Sequence, residues 1–269
     1  MEIKDQLGRI LSFTSMPKRI ISLVPSQTEL LYDLELKDTV IGITKFCVHP
    51  SEWFRDKTRI GGTKQLNIEL IRVLQPDLIL ANKEENDKNQ LETLMREFPV
   101  WISDIYTLQD ALDMIGSIGT ITGKEKKSSA MIRQIKIAFE ELKTFNLKHP
   151  IYQSSLETAY LIWRNPWMAA GNKTFIHEMM QYCGLKNCLS DTNRYPEVSW
   201  QQVKDKQCKL ILLSSEPFPF KEKHATEIRE ILPGVKILFV DGEMFSWYGS
   251  RLLKAPDYFK KIIRQMEAF

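Results

Sequence analysis

The run Pro17-Lys18-Arg19-Ile20-Ile21-Ser22-Leu23-Val24-Pro25-Ser26-Gln27-Thr28-Glu29-Leu30, preceded by Asp5-Gln6-Leu7-Gly8-Arg9, decides the fold class. Residues 20–24 are a short apolar, β-branched stretch of the kind found in the middle of a parallel sheet. Pro25 ends it. Ser26 and Glu29 have the spacing of a capping box, in which the hydroxyl accepts from a first-turn amide and the carboxylate reaches back to the cap's own amide. A helix is therefore predicted to begin at the carboxyl end of a strand. Open α/β sheets place ligands there, where unpaired helix amides meet a polar or anionic group.

The alternation continues outward from this stretch. Residues 39–43, 78–81 and 100–102 read as further strands, with helices at residues 29–34, 68–74, 91–98 and 108–120. Such alternation implies a parallel sheet with helices on both faces. Met131, Ile135, Ala138, Leu142 and Phe145 then recur at steps of four and three, the mark of one amphipathic helix. Over residues 124–147 it would be roughly 35 Å long, enough to cross the back of two lobes, with Pro150 closing it. A second alternation follows. Its strands read at residues 159–163, 210–213 and 235–240. Its helices read at residues 174–183, stopped by Gly184, after the cap Ser199, and at residues 225–231, before a Pro233-Gly234 turn and a terminal helix that Pro256 kinks or restarts. The predicted fold is α/β, two Rossmann-like lobes with parallel sheets joined by one long helix. The N-terminal lobe spans residues 1–122, the linking backbone helix 123–149 and the C-terminal lobe 150–269.

At 269 residues and 43% hydrophobic, the chain can bury two modest cores. With 37 Lys and Arg against 34 Asp and Glu, scattered along the chain, nothing calls for a nucleic-acid partner. No apolar stretch approaches the roughly 20 residues needed to span a bilayer. Cys47, Cys183, Cys188 and Cys208 show no framework of spacings and read as buried free thiols. Cys183-x4-Cys188 as half of a metal site has no partners nearby. There is no nucleophile elbow, phosphate loop, His-Glu-x-x-His or dinucleotide fingerprint, so no catalytic residue, metal site or resident cofactor is assigned. Glu84-Glu85 reads as a solvated loop.

The loops beyond the strand ends share an aromatic and cationic content. Trp163, Trp167, Tyr195, Phe245, Trp247 and Tyr248 fall there together with Arg164, Lys173, Arg194 and Arg251. Rings supply area at low entropy cost and arginine grips acids bidentately, so the set suits a large, partly planar ligand with acid or amide edges. For any single ring, packing against its own sheet is as good a reading as ligand contact. His49, alone before a proline, reads as structural rather than as a metal ligand.

The opening resembles the helical-backbone (class III) substrate-binding proteins of vitamin B12, iron-siderophore and haem ABC importers. It carries Asp-x-x-Gly-Arg, the spaced Pro-Lys-Arg, the strand and Pro-Ser-x-Thr-Glu-Leu in that order. The resemblance continues in Asn67-Ile68-Glu69 before Leu74-Gln75-Pro76-Asp77-Leu78-Ile79, in Asn165-Pro166 with Gly171 and Lys173, and in Arg194-Tyr195-Pro196-Glu197-Val198-Ser199. It implies non-catalytic binding of a metal-containing macrocycle or chelate in the interlobe cleft. Ser26 at the first helix joins the ligand-facing set. Phe46 matches a ligand-facing tyrosine of the B12 binders, Thr63 and Asn82 stand where those carry tryptophans, and Tyr195 stands for their second-lobe tryptophan. The corrin sandwich is thereby weakened: a corrinoid is the first expectation, and a ferric siderophore or haem, whose acids Arg194 and Arg251 would meet, the second.

The resemblance also implies docking on a permease through one glutamate per lobe. Glu69 matches the first position, and Gln201 stands at the second. The function expected is that of a substrate-binding protein of ABC-importer type; Gln201 leaves as alternatives a ligand binder or sensor that feeds no transporter and an enzyme of unknown type, and because only Met1 to Lys4 precede the first motif the expected location is cytosolic. The alternative is a periplasmic or surface-anchored protein whose leader was trimmed. A monomer is expected.

Overall fold

The computed structural model describes residues 1–149 and 156–267. Pro150, read as the stop of the long helix, lies outside them. The chain divides into two compact units. The first holds Met1–Ile105, Gln109–Gln134 and Trp247–Arg251, and the second holds Tyr106–Leu108, Ile135–Ser246 and Leu252–Phe269. The division falls inside the 22-residue helix Glu125–Asn146. It also assigns five residues near the C-terminus to the first unit, although the sequence reading placed everything after residue 150 in the second lobe.

The first unit is built on five parallel strands in the order Thr58–Arg59, Val40–Ile43, Ile20–Ser22, Leu78–Asn82, Val100–Ser103. Ile20–Ser22 and Leu78–Asn82 are buried at every position, as central strands covered on both faces must be. The chain leaves Ile20–Ser22 towards one edge and returns to Leu78–Asn82 on its other side, so the strand order reverses between these two. Such a switch point opens a crevice at the carboxyl ends, here at residues 25–28 and 82–86.

The first helix differs from its sequence reading. It runs Pro25–Asp33, with Val24 as N-cap and no side-chain cap. Pro25 opens the helix instead of only ending the strand, because its fixed φ and missing N–H suit the first helical position. Ser26 therefore lies inside the first turn, its hydroxyl buried without a hydrogen-bond partner, and Glu29 points to Arg251 rather than back to a cap. Ser199 caps its helix as expected, and three further caps join it. Asn67, Asp87, Thr174 and Ser199 each accept a first-turn N–H of the helices Ile68–Leu74, Lys88–Met95, Phe175–Tyr182 and Trp200–Asp205.

In the second unit Leu156–Trp163, Leu210–Ser214 and Lys236–Val240 run parallel, and Leu185–Asn187 pairs parallel with the start of Leu156–Trp163. This sheet is not wholly parallel, because Met168–Ala169 folds back antiparallel on Leu156–Trp163 through a short turn. The order reverses between Leu156–Trp163 and Leu210–Ser214, placing a second switch point at residues 163–164 and 215–220. The terminal helix begins afresh at Ala255–Glu267, with Pro256 in its first turn after the 3-10 turn Ser250–Leu253. Among the described residues, no helix is long and apolar enough to cross a membrane.

Candidate functional site

At the switch point of the first unit, the segment Trp247–Arg251 is laid against the start of the helix Pro25–Asp33. Gly249 makes this approach feasible: a Cβ there would come within 2.5 Å of the Ser26 carbonyl oxygen. Arg251 donates from Nε to Glu29 Oε2 at 2.9 Å, with both side chains about nine-tenths buried. Its guanidinium also lies over the Trp247 ring, 4.7 Å from the centroid, and the His49 ring meets Trp247 edge-on at 5.6 Å. The Tyr248 hydroxyl donates to Glu85 Oε1 at 2.5 Å, so Glu85 is part of this wall and not the solvated loop residue expected. Ser26 and Ser250 each place a buried hydroxyl with no hydrogen-bond partner in the same neighbourhood. Buried hydroxyls of this kind are costly unless something supplies a partner.

Asn82 takes no part in that wall. It is buried, with Nδ2 donating to Ser103 and Oδ1 accepting from the Glu84 and Glu85 amides, so its polar atoms shape the loop from within. Thr63 is half-buried, and its carbonyl accepts from the Asn86 side chain. Phe46 is 51% exposed, with the Lys45 ammonium over its ring.

In the second unit Trp163 is 40% exposed at its switch point and meets Phe218 edge-on at 5.7 Å. Arg164 forks onto both oxygens of Glu227 and rests over Trp167. Trp167 stacks on Phe220 and meets Trp200 at 4.8 Å, anchored to the apolar core of this unit. Phe218 and Phe220, on the loop before the helix Glu222–Ile231, and His224 in its first turn complete this cluster; they carry no periodic signal, so the sequence does not reveal them. Phe245 does not belong to the surface set. It sits on the short helix Gly242–Ser246, fully buried against Tyr160, Tyr258 and Phe259, because that helical turn directs it into the core.

The loops of residues 164–173 and 193–197 are zipped together. Gly171 N donates to the Arg194 carbonyl, Arg194 N to the Asn172 carbonyl and Ala169 N to the Pro196 carbonyl. Arg194 is in the left-handed region at φ 64°, which swings its guanidinium over Tyr106, 4.7 Å from the ring centroid, with Nη2 donating to the phenol at 2.6 Å. Tyr195 beside it is half-buried, and Lys173 follows at φ 55°. Glu69 and Gln201 occupy equivalent places, each the second residue of a short capped helix and each exposed. Glu69 pairs with Arg72 and Gln201 donates to Asp205 on its own helix. Among the described residues no group of three or more His, Cys, Asp or Glu could hold a metal ion.

Each unit thus gathers aromatic side chains and an arginine paired with a glutamate in the loops beyond its strand ends. The chain is 26% identical over 244 residues to a vitamin B12-binding protein of Pectobacterium atrosepticum, covering 90% of this chain and 86% of that one. Its fold is similar to the periplasmic vitamin B12 binding protein of Vibrio cholerae, with a TM-score of 0.78 and 22% identity over 94% of this chain and 99% of the other. It is similar as well to the periplasmic haem-binding protein RhuT of Roseiflexus, with a TM-score of 0.76 and 17% identity over 91% and 99%. A family model described as periplasmic binding protein matches residues 20–232, most of the chain, and the protein belongs to that family.

Proposed function

We propose that this protein binds a metal-bearing macrocycle or chelate at the loops beyond its strand ends, without transforming it, and presents it to an ABC permease. The family match over residues 20–232 carries the reading. A corrinoid is the first choice of ligand and haem or a ferric siderophore the second, in line with what the relatives are named for binding. The residues assigned to ligand contact are Ser26, Phe46, Trp163, Trp167, Arg194, Tyr195, Trp247 and Tyr248, with Thr63 at the rim. Arg251 acts by holding Trp247 in place, since Glu29 already engages its Nε. The periplasmic names of the relatives support the periplasmic or surface-anchored location over the cytosolic one.

Calorimetric titration with cobalamin, haemin and a ferric catecholate, followed by absorption, tests the ligand class. Stoichiometric binding of one is expected, and binding of none overturns the reading. Trp163→Ala and Trp247→Ala should each weaken that binding by roughly 1–3 kcal/mol, and unchanged affinity in both removes the site assignment. One observation favours a second reading: Gln201 stands, uncharged, at the exposed position equivalent to Glu69. A ligand binder that feeds no permease would gain nothing from Gln201→Glu in a reconstituted transporter, whereas a transport protein would dock better.

A further inference from the structure

In the second unit the amino ends of the parallel strands border a cavity of about 650 Å³, at the opposite end of the sheet from the aromatic loops. Lys236 opens its strand, and Cys208 and Lys209 come just ahead of Leu210–Ser214. Val203, Leu232 and Met266 are buried in the cavity wall, each from a different helix or its end, and Val235 lines it half-buried. Among the described residues no aromatic ring and no Asp or Glu lines it. The Cys208 thiol is already engaged by the Leu210 carbonyl at 3.1 Å. The remaining polar side-chain groups are three exposed lysines, Lys204, Lys209 and Lys236. Two of these start from neighbouring strands, since the Lys236 amide donates to the Lys209 carbonyl at 3.0 Å. Lysines close by are paired, Lys206 with Asp191 and Lys186 with Glu157, whereas Lys204 and Lys209 have no ion-pair partner among the described residues.

From this geometry we infer a second binding site, for one flexible aliphatic chain ending in an acid, as in a medium-chain fatty acid. The wall offers aliphatic side chains and no ring, so it matches a chain better than a plane. Its volume is that of a small-molecule site, which holds a single short chain and not a two-tailed lipid. The acid group stays at the mouth, where the lysine stems lie along apolar surface and keep their ammonium heads in water. Charge complementarity sets this orientation: cations line the mouth, and no carboxylate on the wall opposes an anion. The aromatic loops differ in chemistry, since rings dominate there and Arg164 is already forked by Glu227. The eight-residue strand Leu156–Trp163 separates the two places by roughly 26 Å, so ligands at them do not compete.

The test is calorimetric titration of the folded full-length protein with sodium dodecanoate below its micelle concentration. Saturable one-to-one binding is expected, tightening about tenfold for each pair of methylenes added from octanoate to dodecanoate. Decan-1-ol, uncharged, should bind at least about tenfold more weakly than decanoate. The Lys204→Glu/Lys209→Glu variant changes only exposed residues and should weaken dodecanoate binding by about tenfold or more. Val235→Phe, or Leu156→Phe should the first not fold, fills the cavity and should weaken it as well. Trp163→Ala and Trp247→Ala should bind dodecanoate as the parent does. Absence of saturable binding, equal affinity for the alcohol, full affinity in the charge-reversed or the cavity-filled variant, or loss in the tryptophan variants would each overturn the site. Flotation with phosphatidylglycerol vesicles in the absence of dodecanoate binding would overturn it in favour of a basic surface that docks on membranes.

Discussion

At the scale of single residues, the buried Glu29–Arg251 pair is the most consequential contact that links distant parts of the sequence, 222 positions apart. Removing Arg251 leaves the Glu29 carboxylate buried without that partner. Arg251→Ala is therefore expected to destabilise the fold by about 3–5 kcal/mol in urea unfolding, while Glu29→Gln combined with Arg251→Met costs clearly less than either single change summed. Gly171 is as strictly set by its neighbours, since a Cβ would sit 2.2 Å from the Thr192 carbonyl oxygen. Gly171→Ala should lower stability by about 2–3 kcal/mol, and a variant as stable as the parent would show that the two loops can part freely. Histidines set the pH response. Burial holds both His177 and His224 below the ordinary value of 6.5, with Lys223 and Arg164 adding to the effect at His224. His224 Nδ1 also accepts the Lys221 amide at 2.9 Å, a bond open only to the neutral ring. As the pH falls below about 6.5 the unfolded chain takes up protons that the folded one refuses, so stability is full above that pH and declines beneath it. The urea midpoint should be lower at about pH 5.5 than at about pH 7.5, and a His177→Gln/His224→Gln variant should flatten the difference.

At the scale of elements, local chemistry and tertiary demand can be separated by comparing two helix starts. Thr174 caps the helix Phe175–Tyr182, accepting the His177 amide at 3.1 Å, so Thr174→Ala should cost about 1 kcal/mol. Ser26 also carries a hydroxyl, but it is the second residue of the helix Pro25–Asp33 and caps nothing. Ser26→Ala should leave thermal stability unchanged or slightly raised, and a loss comparable to that of Thr174→Ala would contradict the placement of Pro25 as the first helical residue. The central parallel strands, the long helix and the cap Ser199 were legible in the sequence because each rests on periodicity or on a residue within four positions. The 3-10 turn, the two-residue strands and the antiparallel Met168–Ala169 were not, because nothing within their own few residues distinguishes them from loop.

At the scale of the whole molecule, each unit presents its own switch point, and each switch point gathers rings and an arginine held by a glutamate: Trp247 with Arg251 and Glu29 in one, Trp163 and Trp167 with Arg164 and Glu227 in the other. Pairing fixes these guanidiniums before any ligand arrives, which lowers the ordering cost of binding a flat molecule. The class of fold, the places where strands end and the residue types gathered there were set by the sequence alone, since hydrophobic period and turn chemistry act over short separations. Tertiary structure decided which members of that set share a wall. It sent Phe245 into the core, turned Asn82 inward to build its own loop, and brought residues 247–251 onto the first unit, where Gly249 meets Ser26. These outcomes rest on contacts between residues far apart in the chain, chosen by packing and by the need to pair buried charge, and no local pattern encodes them.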